Sequence, residues 1–151
     1  MMNIPSLKKI LSVSLLSLMA SLSYASDTLN LDQYKGKVVY VDFWASWCGP
    51  CRESFPWMKK MQQQYGKDGL VIIAINVDQD KKLADKFLSE FKPEFNVLFD
   101  KDGKLAEDFK VSSMPSSYVL DKDGKPRFKH KGFHLDKQSQ YETELNSLLK
   151  N

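Results

Sequence analysis

Val38-Val39-Tyr40-Val41-Asp42-Phe43-Trp44-Ala45-Ser46-Trp47-Cys48-Gly49-Pro50-Cys51-Arg52 holds an apolar run, one carboxylate inside it, and then the two cysteines of the chain, three positions apart. Val38 to Phe43 is rich in β-branched and aromatic residues and reads as a buried strand with one misplaced charge. Beyond Cys48 the apolar positions Phe55, Met58, Met61 and Tyr65 recur at helical spacing, so a helix should open at the cysteines and run to about Tyr65. Gly66 and Gly69 close it. Pro56 lies inside, and a kink is expected where its ring crowds the carbonyl of Arg52.

Helix N-termini carry unpaired N–H groups and the positive end of the macrodipole, so a sulfur placed there is favoured as an anion. A thiolate in that position has its pKa lowered toward about 7 or below. Cys48 would then be an exposed nucleophile, with Cys51, one turn in, as the buried resolving thiol. Attack by Cys48 on a disulfide gives a mixed disulfide, and attack by Cys51 releases the reduced product. Two other uses of the pair compete. A purely structural bridge closing so small a loop gains little chain entropy. A zinc site would have to add His130 and His134; their spacing is permitted, but there is no second cysteine pair and His130 falls in an expected strand. Copper handling through Cys48, Cys51 and Met114 is the alternative function, and a redox-inert interaction domain is a third.

The rest of the chain alternates strand and helix signals. Leu70 to Val77 is a continuous apolar run broken only by Asn76, as suits a strand covered on both faces. Leu83, Phe87, Leu88 and Phe91 mark a helix behind an Asp80 cap. Asn96 to Phe99 is a short strand and Leu105 to Phe109 a short helix. Ser116 to Leu120 and Pro126 to Phe133 pair as a hairpin across Asp121-Lys122-Asp123-Gly124. A last helix from about Asp136 buries Tyr141, Leu145, Leu148 and Leu149. The order β-α-β-α-β-α-β-β-α implies an α/β fold with a mixed central sheet flanked by helices. Asp-Lys-Asp-Gly occurs at 100–103 and again at 121–124. Neither copy places an oxygen ligand and a glycine where a calcium loop needs them, so both read as turns.

The 151 residues are 42% hydrophobic and 27% charged, which fits a single packed domain. A net charge of +3 is too small to suggest a nucleic-acid surface. Residues 1–25 contain no acid, carry Lys8 and Lys9, and continue through the 13 largely apolar residues Ile10 to Leu22 to Ser23-Tyr24-Ala25. That is the pattern of a cleaved signal peptide, with a domain over 26–151 in an oxidising compartment, the periplasm. The alternative is an uncleaved membrane anchor, for which the run is short.

The stretch Val41 to Arg52, taken with Met114-Pro115 ahead of a strand, resembles the thioredoxin superfamily. The resemblance extends over roughly residues 30–150. It implies a thioredoxin fold in which Cys48 attacks, Cys51 resolves, and Pro115 is a cis residue beside the sulfurs that leaves the preceding carbonyl free for a substrate backbone. Asp42 takes the position of the buried acid; desolvation should raise its pKa and let it accept the Cys51 proton through a water. Trp47, Gly49, Pro50 and Met114 are the implied substrate-contact residues. The 35 residues between Asp78 and Met114 leave room for an extra helix-strand insertion before the cis-proline loop. With the export signal and Phe55-Pro56, this is similar to the TlpA/ResA-like branch of secreted thiol–disulfide reductases. Some cytochrome c maturation members carry Glu three residues after the second cysteine, where this chain has Ser54 beside Glu53. Many thioredoxins have a Lys where this chain has Ala74, so Asp42 should lack a nearby cation. The resemblance implies a monomer that needs no cofactor, has protein thiols and disulfides as substrates, and draws electrons from a membrane thiol reductant. Gly49-Pro50 is similar to the reducing members.

Overall fold

The computed structural model describes residues 27–151. The leader expected over residues 1–25 lies outside the described residues. Five strands form one sheet in the order β3-β2-β1-β4-β5. β1 (Val38–Trp44) is central and runs parallel to β2 (Leu70–Asn76), which is parallel to the edge strand β3 (Asn96–Phe99). β4 (Ser116–Leu120) joins the other side of β1 antiparallel, followed by β5 (Pro126–Lys131). The helices are α1 (Gly49–Tyr65), α2 (Lys81–Phe91), α3 (Lys104–Asp108) and α4 (Gln138–Leu149). This is the mixed, helix-flanked sheet expected from the sequence. The extra unit before the cis-proline loop is α2 with β3, which extends the sheet beyond β2.

Alternation along β1 divides the core. Val38, Tyr40 and Trp44 face a layer built from α1, α2 and α4, including Phe55, Met58, Met61, Phe87, Tyr141 and Leu145. Val39, Val41 and Phe43 face the other side, where a short 3₁₀ turn (Leu31–Tyr34) and α3 pack. Both faces of β1 are therefore dry, which explains its unbroken apolar composition. Around Phe55 the aromatic rings of Trp44 and Phe87 each sit 4.8 Å away, with Phe95 at 5.5 Å and Phe91 at 5.8 Å. These mostly edge-on contacts tie α1, α2 and the loop after α2 into one unit.

Several sequence expectations are corrected. Leu83 is half exposed, and Ala84 takes its place in the buried stripe with Phe87. At about 100° per residue the stripe centres on Ala84, Phe87, Leu88 and Phe91, which leaves Leu83 about a quarter turn outside it. Helix α1 does run from the cysteines to Tyr65 as expected, with Pro56 inside it on the exposed side. β5 stops at Lys131, because Gly132 adopts φ +77° and donates its N–H to the Pro115 carbonyl at 2.8 Å. Both Asp-Lys-Asp-Gly copies are turns. Asp100 accepts the N–H groups of Leu105 and Ala106 at the start of α3, and Asp121 accepts those of Asp123 and Lys125 in the hairpin.

Phe55→Ala should cost about 3–5 kcal/mol in denaturant melts, because the five-ring cluster cannot collapse around the void. Leu83→Ala should stay within about 0.5 kcal/mol.

Candidate active site

β1 ends at Trp44, and the next three residues turn the chain into α1. Asp78, buried just after β2, holds that turn. Its Oδ2 accepts the Ser46 N–H at 2.9 Å, and its Oδ1 accepts the Ser46 hydroxyl at 3.0 Å. Asn76 braces it, donating from Nδ2 to Oδ2 at 2.8 Å and accepting the Asp78 N–H at 3.0 Å. No motif in the sequence marks this network; its only local sign is Asn76, the one polar residue in the β2 run.

Cys48 is the N-cap of α1, with extended backbone at φ −87° and ψ 112°. Its Sγ is bonded to that of Cys51, with the two Cα atoms 5.3 Å apart, and it accepts the Cys51 N–H at 3.2 Å. The first sulfur thus sits where an orphan helix N–H points at it, the arrangement that favours a thiolate after reduction. Ser54 is buried and donates its hydroxyl to the Cys51 carbonyl at 3.1 Å.

The expectation of an exposed Cys48 does not hold for the disulfide form: Cys48 is 3% exposed and Cys51 fully buried. Both belong to the aromatic cluster that includes Trp44, Phe55 and Trp57, and Met114 packs against that cluster from the loop before β4. Trp47 is 71% exposed, and Gly49 and Pro50 are exposed beside it. The Met114-Pro115 peptide is cis, as the resemblance implied. Pro115 is buried and its carbonyl is occupied by Gly132.

Asp42 lies opposite Ala74 on β2 and opposite Ser117 on β4. It is 1% exposed, and its Oδ2 has no hydrogen-bond partner among the described residues. Burial holds the carboxyl well above the usual carboxylate range, and no cation offsets that burial. His130 does not join the cysteines in a metal set; its two ring nitrogens face Ser117 and Glu144.

Residues 6–145 match the Redoxin family, a span that includes the whole cysteine loop and the cis-proline loop. The chain belongs to this family. Within the thioredoxin superfamily this redoxin is ResA/TlpA-like. It is 34% identical over 97 residues to the thiol-disulfide oxidoreductase ResA of Bacillus thuringiensis subsp. konkukian, covering 64% of this chain and 56% of that protein. The chain thus spans little more than half the length of that relative. A putative thiol:disulfide interchange protein DsbE from Chlorobium tepidum superposes with a TM-score of 0.78 at 41% identity, covering 80% of this chain and 86% of that one. The pneumococcal exposed lipoprotein thioredoxin from Streptococcus pneumoniae gives a TM-score of 0.69 at 31% identity, covering 81% and 93%.

The position of Asp42 in this redoxin has a measurable consequence. A carboxyl whose folded pKa is raised binds more protons in the native state than in the unfolded one. Its favourable contribution is complete below the unfolded value of about 3.9 and is lost as pH climbs through the folded value. Asp42→Asn removes that loss. The variant should therefore be more stable than the parent at neutral and alkaline pH, with the advantage vanishing in acid. Denaturant melts at pH 4 and pH 8 check the sign; a destabilised variant at pH 8 would contradict it.

Proposed function

We propose that this chain is a thiol–disulfide oxidoreductase that reduces protein disulfides in the periplasm, using Cys48 and Cys51 as its only electron carriers. The observation that carries the reading is the Cys48–Cys51 pair at the N-terminus of α1, on the fold that also holds a buried, cation-free Asp42 and a cis Met114-Pro115 peptide. The names of its ResA and DsbE relatives support the chemistry.

The steps follow from these positions. In the reduced protein the Cys48 thiolate, stabilised at the helix start, attacks a substrate disulfide and expels one substrate thiolate. The exposed Trp47 offers an apolar rest for the substrate chain. The Met114 carbonyl, which accepts no hydrogen bond among the described residues, is available to an extended backbone. Asp42 takes the proton of Cys51 through a water. The Cys51 thiolate then attacks Cys48, closes the disulfide and releases the second substrate thiolate. A membrane thiol reductant restores the dithiol. Export follows from a cleaved signal over residues 1–25, and the secreted form begins at or near Ser26, which an intact mass of the exported protein checks.

Cys48→Ser should abolish disulfide reduction while leaving the melting curve close to that of the reduced parent. Cys51→Ser should accumulate a mixed disulfide with the substrate, visible as a covalent adduct on non-reducing gels. In the reduced protein near neutral pH, an alkylating reagent should label Cys48 well ahead of Cys51. Equal or reversed rates would exchange the two roles.

A further inference from the structure

Beside the cysteine turn, helix α2 leaves an open cleft of about 200 Å³ between itself and the start of α1. Ser46 and Arg52 line it from the cysteine side, and Leu83, Lys86, Phe87 and Glu90 line it from α2. Ser46 stands two residues before Cys48, at most about 7 Å along the chain. Arg52 stands one turn of α1 beyond Cys48, a rise of about 6 Å. A polypeptide whose disulfide lies at Cys48 therefore reaches this cleft. It is smaller than the roughly 300–1,000 Å³ of small-molecule sites, and it suits one side chain of a polypeptide lying across the surface.

Charge and polarity select the kind of side chain. Arg52 pairs with Glu90, and its guanidinium lies 5.5 Å from the Phe87 ring centroid and 4.9 Å from that of Phe91. That pair uses one guanidinium nitrogen, Nη2; a guanidinium carries about five N–H donors, so donors remain. Lys86 is exposed, and its ammonium has no partner among the described residues. Two cations thus face one carboxylate, which is already paired. The rest of the lining is apolar, with Phe87 nearly buried and Leu83 50% exposed. Leu83 is one of three large apolar side chains that stand exposed among the described residues; another is Trp47, which directly follows Ser46. Cations beside an apolar wall match a side chain with an apolar body and an anionic tip.

We propose that this cleft is a substrate subsite that receives an acidic side chain, glutamate above all, close to the disulfide cysteine of a protein substrate. The inference rests on the reading of Cys48 as the group that attacks protein disulfides. The substrate carboxylate meets the Lys86 ammonium and the remaining N–H groups of Arg52, charge-assisted contacts of the stronger kind. Its methylenes lie on Leu83 and Phe87, which glutamate covers better than the shorter aspartate. In an extended chain, side chains two residues apart point the same way and sit about 7 Å apart. That spacing matches the offset of the cleft from Cys48, so the acidic residue stands two positions from the substrate cysteine. A cationic side chain would meet Lys86 and find Glu90 already taken. Lys86 and Leu83 select the substrate without touching the reacting sulfurs.

The test mixes the pre-reduced, full mature chain with disulfide-bonded peptides that carry Glu, Gln or Lys two positions from the cysteine, on either side. At low salt the better-placed Glu peptide should react about threefold faster than its Gln counterpart in second-order rate, the scale of a partly exposed ion pair. The rate at saturating peptide should not distinguish them, because the contact is made equally before and during the reaction. The preference should vanish at about 1 M salt, and also when the Glu is moved six residues from the cysteine. Lys86→Gln should bring the Glu-to-Gln ratio to about one, and Lys86→Arg should restore it. Lys67→Gln, which removes an equal charge beyond the far end of α1, should leave the ratio as in the parent. If Lys86→Gln fails to fold, the salt and position dependence of the parent decides. Equal rates for the Glu and Gln peptides, or a ratio that survives in Lys86→Gln, would overturn the subsite while leaving the oxidoreductase reading intact. A faster Lys peptide would overturn it too, making Glu90 the recognising group. A parent that reduces none of the peptides would overturn the oxidoreductase reading, and the subsite with it.

Discussion

Everything in this fold is arranged around β1 as a central strand with no exposed face. All seven residues from Val38 to Trp44 are buried. It is paired along its whole length with β2 and along most of it with β4. Each fully buried large apolar side chain contributes about 1.5–3 kcal/mol, so the strand is the place where the sheet is least able to shift. It also delivers the chain to Cys48. The position of Cys48 is therefore set by the most rigid element available, and the short turn between strand and helix is fixed by Asp78 rather than left as a loose loop.

Against that background Asp42 is a deliberate exception. A carboxylate in the middle of a dry strand, opposite an alanine and with an unpaired oxygen, works against stability. Its environment holds it protonated well above the usual range. In the proposed mechanism, the same property that weakens the fold makes the group a strong proton acceptor once ionised, suited to taking the proton of the buried Cys51 thiol. Ser117, His130 and Glu144 form a hydrogen-bonded polar seam on the same side of the sheet.

The inserted α2 and β3 serve a different end. They widen the sheet and supply Phe87 and Phe91, over which the Arg52 guanidinium lies while it pairs with Glu90. The first turn of α1 is thus braced from outside as well as from β1. Exposed Trp47 directly precedes this braced turn, next in sequence to Cys48.

Elements, their order and the cysteine pair were legible in the sequence because they depend on local information: two-residue and 3.6-residue periodicities, caps such as Asp80, turn residues, and a spacing of three between thiols. The same information foresaw the trouble with Asp42, since a charge inside an apolar strand is anomalous wherever that strand sits. The tertiary structure alone decided three other matters. It buried Cys48 within the core cluster that holds Trp44 and Phe55, with Met114 packed against that cluster, although a helix N-terminus taken by itself is exposed. It turned α2 so that Ala84 rather than Leu83 meets the core. It brought Ser117, His130 and Glu144 into one hydrogen-bonded series. Each of these is set by register and helix rotation between segments far apart in the chain. A register change of one residue in β4 would point Ser117 to the opposite face of the sheet, and no pattern within Ser116–Leu120 specifies that register without β1 beside it.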